Sequence, residues 1–72
     1  MKIGNTIKRL RKQKVMTLKD MSELTGIQVA TLSRIENDKM DGSLNTYMLI
    51  AGGLDLKLSQ LFKAIESDGG LE

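Results

Sequence analysis

The 72-residue chain has no cysteine and no histidine. Together those absences exclude disulfides, thiolate chemistry and the usual zinc ligands. They also remove the side chains most used for nucleophilic and general acid–base work, and the scattered acids show no paired spacing to replace them. The sequence is therefore not read as an enzyme, and no cofactor or metal is expected. Asp38 and Asp41 beside Asn37 are too sparse for a calcium loop. No apolar run approaches the roughly 20 residues of a membrane span, and the N-terminus lacks the apolar stretch of a signal peptide. The expectation is a soluble cytoplasmic protein, nucleoid-associated if it binds DNA, with no membrane partner. One small domain with a modest core fits this length. Only about 60 % of the unfolded chain's surface can be buried, so dimerisation would add to stability.

Acids are missing from the first 19 positions. Lys2, Lys8, Arg9, Arg11, Lys12, Lys14 and Lys19 all precede Asp20, whereas from Met40 onward five acids face two bases, Lys57 and Lys63. A net charge of +2 hides this asymmetry. One end of the molecule could face a polyanion; equally, the lysines could simply solvate an amphipathic helix.

The stretch from Met16 to Asn37, MTLKDMSELTGIQVATLSRIEN, reads as two short helices joined by a tight turn. Thr17 with Asp20 three residues on is a capping-box-like start. Leu18, Met21 and Leu24 recur at helical spacing, as do Leu32 and Ile35. Gly26 stands where the first helix must stop, a place that favours the left-handed conformation. Around this unit the pattern predicts three more helices and no strand. The five run over about Asn5–Lys14, Leu18–Thr25, Val29–Asn37, Asn45–Gly53 and Leu58–Ile65, with Ile3, Ile7 and Leu10 striping the first and Ser43 a plausible N-cap for the fourth. The domain is placed at residues 1–66. The polar, glycine-bearing tail over 67–72 is expected to fray from about Glu66 onward, with Leu71-Glu72 either a cloning remnant or a linker.

The order of residue types across Met16–Asp38 resembles the phage repressor/Cro-like helix-turn-helix (XRE-type) family. The likeness extends upstream through IGNTIKRLRKQK and downstream through SLNTYMLIAGGLDLKLSQLF, from Ile3 to Phe62. It implies an all-α, compact five-helix lambda-repressor-like DNA-binding domain with a central helix-turn-helix. By position it also implies the DNA-facing residues. Helix-turn-helix docking puts the N-terminal half of the second motif helix in the major groove. Val29, Ala30, Ser33 and Arg34 face outward there, with Gln28 and Thr31 beside them. Val29 and Ala30 can touch a thymine methyl, Arg34 can fork onto guanine or hold a phosphate, and Ser33 and Thr31 can bond to either. Thr17 and the free N–H groups opening the first motif helix form an anion site, with Lys19 alongside. Asn37 and Lys39 lie in the loop that grips the backbone. The family's pairing of an arginine and a glutamate matches Arg11 and Glu36, worth under about 1 kcal/mol if exposed.

Several positions depart from the family pattern. Leu18 replaces a glutamine and Ser22 an alanine, and Gln28 is a poor N-cap. Val15 stands where glycine is common, and a β-branched residue is not expected to take positive φ. Asp55 replaces the glycine that ends the fourth helix, a change that left-handed backbone tolerates. Gly52-Gly53 costs about 1 kcal/mol each against alanine, so that helix end is either weak or closely packed.

The leading function is a sequence-specific regulator of transcription, more readily a repressor. It would bind an inverted-repeat operator in double-stranded DNA as a homodimer, through the Leu54–Phe62 region. The alternative is an antitoxin or protein-docking module whose main partner is a toxin or another protein.

Overall fold

The computed structural model describes residues 2–70, and these form five helices: α1 (Gly4–Gln13), α2 (Leu18–Thr25), α3 (Val29–Glu36), α4 (Leu44–Gly53) and α5 (Leu58–Ser67). There is no strand among the described residues. Leu71 and Glu72, read as a possible remnant, lie outside them. Helix ends move by one or two residues from those expected, the usual scatter of frayed termini. No described helix is long and apolar enough to cross a membrane.

Local chemistry starts most of these helices. At α2 the capping box forms as expected: the Thr17 hydroxyl accepts the Asp20 N–H at 3.0 Å and the Asp20 carboxylate accepts the Thr17 N–H at 2.9 Å. Ser43 caps α4 by accepting the Thr46 N–H at 3.2 Å. The Gln60 side chain reaches back to the Lys57 N–H at the start of α5, at 2.8 Å. Gln28 makes no cap for α3. The buried Thr25 holds the turn just before it, donating to the Met21 carbonyl at 2.7 Å and accepting the Ile27 N–H at 3.1 Å. The start of α1 is capped from afar, where the Asp38 carboxylate accepts the Gly4 N–H at 3.0 Å.

All five helices stop on a left-handed residue: Val15, Gly26, Asp38, Asp55 and Gly69. At four of them the residue's own N–H and the next one turn back onto the last turn. One instance is Val15 to Lys12 at 2.9 Å with Met16 to Arg11 at 3.2 Å, and another is Asp55 to Gly52 at 3.1 Å with Leu56 to Ala51 at 2.8 Å. These paired bonds satisfy carbonyls the helix leaves unpaired. Asp55 behaves as expected. Val15 does not: it takes φ 55° despite its branched side chain. Two backbone bonds, and a third from the Arg11 guanidinium to the Met16 carbonyl at 2.6 Å, fix the turn around it. Its own side chain stands in water, 90 % exposed, and collides with nothing. The conformation still costs about 1–2 kcal/mol against glycine.

The core is Ile3, Ile7, Met21, Leu32, Ile35, Tyr47, Ile50, Ala51, Leu54, Leu61 and Ile65. Leu24, expected in the apolar stripe of α2, points outward and is 65 % exposed. Tyr47 and Phe62 meet edge to face at 6.1 Å. The segment expected to fray is tied down. Asp68 accepts from the Thr6 hydroxyl at 2.8 Å and from Arg9 at 3.0 Å, and the Lys2 N–H donates to the Gly70 carbonyl at 2.8 Å. The acid and glycines that look like loop composition form the closing turn of α5 and its seam with α1.

Candidate nucleic-acid interface

Two helices and a four-atom detail define the site's frame: α2, the left-handed Gly26 at φ 76°, and α3. At about 100° of rotation per residue, Val29, Ser33, Asn37, Ala30 and Arg34 fall in that angular order along one arc of roughly 140°. All but the half-buried Ser33 are exposed. Leu32, Ile35 and Glu36 occupy the opposite side and are buried. Gln28 is exposed at the head of the helix with its amide unused as a cap, and Thr31 is half-buried at the margin. Arg34 forms no ion pair or side-chain hydrogen bond among the described residues, so its five donors face outward together.

What seats this helix is a buried pair. Arg11 Nε donates to Glu36 Oε2 at 2.7 Å and Nη2 to Oε1 at 2.9 Å, a bidentate fork with both side chains less than a tenth exposed. The carboxylate raises the Arg11 pKa further above its ordinary value. The third donor, Nη1, takes the Met16 carbonyl just ahead of α2. One guanidinium thus ties α1 to the end of α3 and to the entry of α2. The pair was foreseen, but its burial was not, so the small value of an exposed pair does not apply. Gly4 completes the seam. A Cβ there would run into the carbonyls of Ile35 and Glu36, so α1 can approach α3 only through glycine.

The cationic N-terminal third is less free than its sequence implies. Arg9 is paired with Asp68, Arg11 with Glu36, and Lys14 with Asp55 at 3.5 Å. Lys2, Lys8, Lys12 and Lys19 form no ion pair among the described residues. The anion site expected at the head of α2 is likewise partly filled, because the Asp20 carboxylate already takes the Thr17 N–H and Thr17's hydroxyl is spent on Asp20. Hydrogen bonds from Thr17, chiefly its backbone N–H, hold the Asp20 carboxyl below its ordinary range. The N–H groups of Leu18 and Lys19 have no partner within the helix. Beyond α3, Asn37 folds back, its amide donating to the Ser33 carbonyl at 2.8 Å. Lys39 is exposed and its backbone N–H closes the end of α3 on the Arg34 carbonyl at 2.8 Å.

Sequence reasoning missed three contributors: Asp38 as the cap of α1, Gly4 as the contact point on α3, and Thr25 as the brace of the turn. Only Asp38 carried a signal, an acid in a helix-ending position that can accept both left-handed φ and a donor. The expected dimer region also looks different in three dimensions. Leu54 and Leu61 are wholly buried and Leu56, Leu58 and Phe62 are half-buried against the core.

Residues 6–67 match the family model of the Cro/C1-type helix-turn-helix DNA-binding domain. Among curated proteins the chain is similar to the immunity repressor protein of Bacillus phage phi105, at 31 % identity over 61 residues. That match takes in 85 % of the chain but only 42 % of the phage protein. It is also similar to the control protein C.MunI of Mycoplasma sp, at 34 % identity over 68 residues, which are 93 % of the chain and 92 % of that protein.

Proposed function

Because the chain belongs to the Cro/C1-type helix-turn-helix DNA-binding family, we propose that it regulates transcription by binding an inverted-repeat operator as a homodimer, with the N-terminal half of α3 in the major groove. The observation that carries this reading is the combination on α3 of a buried, doubly anchored inner side and an outer arc whose arginine is unclaimed within the described chain. A helix held rigidly on one side can present Gln28, Val29, Ala30, Ser33, Thr31 and Arg34 to base edges without first having to be ordered. Arg34 then selects guanine through O6 and N7, Gln28 suits adenine, and Val29 with Ala30 suits the thymine methyl. Lys19, Asn37 and Lys39, with the open N–H groups of Leu18 and Lys19 that follow Thr17, frame the helix on the phosphates. Repression is favoured over activation by the name of the phage relative.

The test is an in vitro selection from random duplex DNA at about 0.15 M salt, where bare electrostatic attraction is muted. The expected outcome is an enriched inverted repeat whose half-sites lie about one helical turn, roughly 34 Å, apart. Enrichment of no sequence would overturn specific readout by α3.

A further inference from the structure

The loop leaving α3 holds two of the residues proposed to meet phosphates, Asn37 and Lys39, and between them stands an acid. Asp38 has φ 56°, a left-handed backbone that glycine takes most readily and that aspartate tolerates. Its N–H closes on the Ile35 carbonyl at 3.1 Å, and that of Lys39 on the Arg34 carbonyl at 2.8 Å. Glycine would make the same turn with less strain, so the turn alone does not account for the acid. A negative charge in a loop that faces phosphates is also unfavourable in itself.

The carboxylate accounts for it. Asp38 Oδ1 accepts the Gly4 N–H at 3.0 Å, from 34 residues away. Helix α1 has no acid in its first turn, and Ile3 ahead of it offers no side-chain cap. The negative group that suits this positive helix end is supplied by the loop after α3. The approach is close because a Cβ on Gly4 would collide with the carbonyls of Ile35 and Glu36, in the last turn of α3. Helix α1 is itself held, by Ile3 and Ile7 in the core and by the fork of Arg11 on Glu36. One long-range bond therefore ties an exposed loop to a buried seam and draws its negative charge onto the α1 N-terminus.

We propose that Asp38 is a positioning residue for DNA binding: by capping α1 it holds Asn37 and Lys39 where the phosphate backbone meets them, so that the loop is ordered before DNA arrives. The proposal rests on the DNA-binding reading above. Ordering side chains and loops on binding subtracts from affinity, and a loop pinned beforehand avoids that loss. Asp38 acts through its neighbours and need not touch DNA.

The experiment compares Asp38→Asn with Asp38→Gly. Both remove the charge and both accept the left-handed backbone, but only asparagine keeps an oxygen for the Gly4 N–H. The natural chain and both variants are titrated with the selected operator and with an unrelated duplex across a salt series, at a temperature where thermal melts show all three folded. Hydrogen exchange of the Gly4 and Lys39 amides is followed without DNA. Asp38→Asn should bind no more weakly than the natural chain and keep both amides protected. Asp38→Gly should bind about five- to tenfold more weakly than Asp38→Asn, with a slope of log affinity against log salt shallower by about 1 as the Lys39 contact lapses. Its Gly4 and Lys39 amides should exchange faster. Equal affinity and equal slope for the two variants overturn the proposal. A merely structural cap would give that result, lowering only the melting temperature of Asp38→Gly. Phosphate contacts are independent of sequence, so the same ranking is expected on the unrelated duplex. A selection that enriches no operator therefore defeats specific readout by α3 and leaves this test intact. A natural chain that binds neither duplex overturns the DNA-binding reading and this role with it.

Discussion

The outer faces of α3 and α4 occupy the same angular positions on their helices and are made of opposite chemistry. On α3 the arc is Val29, Ala30, Ser33, Arg34 and Asn37; on α4 it is Leu44, Asn45, Met48, Leu49 and Gly52. The buried sides correspond too, with Leu32, Ile35 and Glu36 in one and Tyr47, Ile50 and Ala51 in the other. Each helix therefore gives the surface a comparable strip, and packing alone does not distinguish them. Identity does: one strip carries a guanidinium and two hydrogen-bonding side chains around two small apolar ones, while the other carries three large hydrophobes and no charge. A polar groove floor is complementary to the first and an apolar neighbour to the second.

The most damaging way to break this contrast is to unseat α3 itself. Arg11→Met leaves the Glu36 carboxylate buried without its fork and should lower unfolding stability by about 3–5 kcal/mol, read from urea melts. A loss under about 1 kcal/mol would mean that the pair does not hold α3. Arg34→Ala acts on one face only. It should weaken operator binding by about 1–3 kcal/mol and leave the urea midpoint and self-association where they were. Val15→Gly touches neither strip. By relieving left-handed valine it should stabilise the fold by about 1 kcal/mol, with DNA affinity and dimerisation unchanged; a drop in stability would show the valine side chain to be engaged. Lys39→Ala should cost little at working salt, yet flatten the slope of log affinity against log salt by about 1.

The smallest effect is on pH dependence. Asp68 is held below its ordinary range first by the Thr6 hydroxyl and then by Arg9, and Asp20 by its bonds from Thr17. Each folded pKa lies below the unfolded value of about 3.9. Their stabilisation is thus complete above that value and lost as pH falls through the folded one. The urea midpoint should hold steady from pH 7 to about 5 and decline below about 4, and Asp68→Asn should shallow that decline.

What could be read in the sequence was what neighbours in sequence decide. The Thr17–Asp20 box spans three residues, Gly26 ends the helix it follows, and Ser43 caps the helix it precedes; each is local chemistry with a fixed spacing. The core side of α3 followed from Leu32 and Ile35 for the same reason. Features that join distant segments were illegible. Asp38 caps a helix 34 residues away, and Asp68 gathers Thr6 and Arg9 from 62 and 59 residues away. Those long pairings are why the N-terminal cations looked freer than they are and why an ordered turn at residues 67–70 looked like a tail. Val15 shows the limit of propensity: three backbone-directed bonds outweigh a preference of about 1–2 kcal/mol. Leu24 and the outer side of α4 show the limit of periodicity, which finds apolar stripes without telling which partner covers them.

The bond between Lys2 and Gly70 sets an order in time as well as in space. The helix that seats α3 is α1, and α1 rests in turn on α5, the last of the five described helices to be made. A chain emerging from its N-terminus at about 5–20 residues per second has spelled out the whole helix-turn-helix by Asn37, yet waits roughly another 2–7 s for the segment that finishes its support. A message cut short within α5 would therefore yield a polypeptide holding the α3 residues proposed to face the groove without the seam that supports α1.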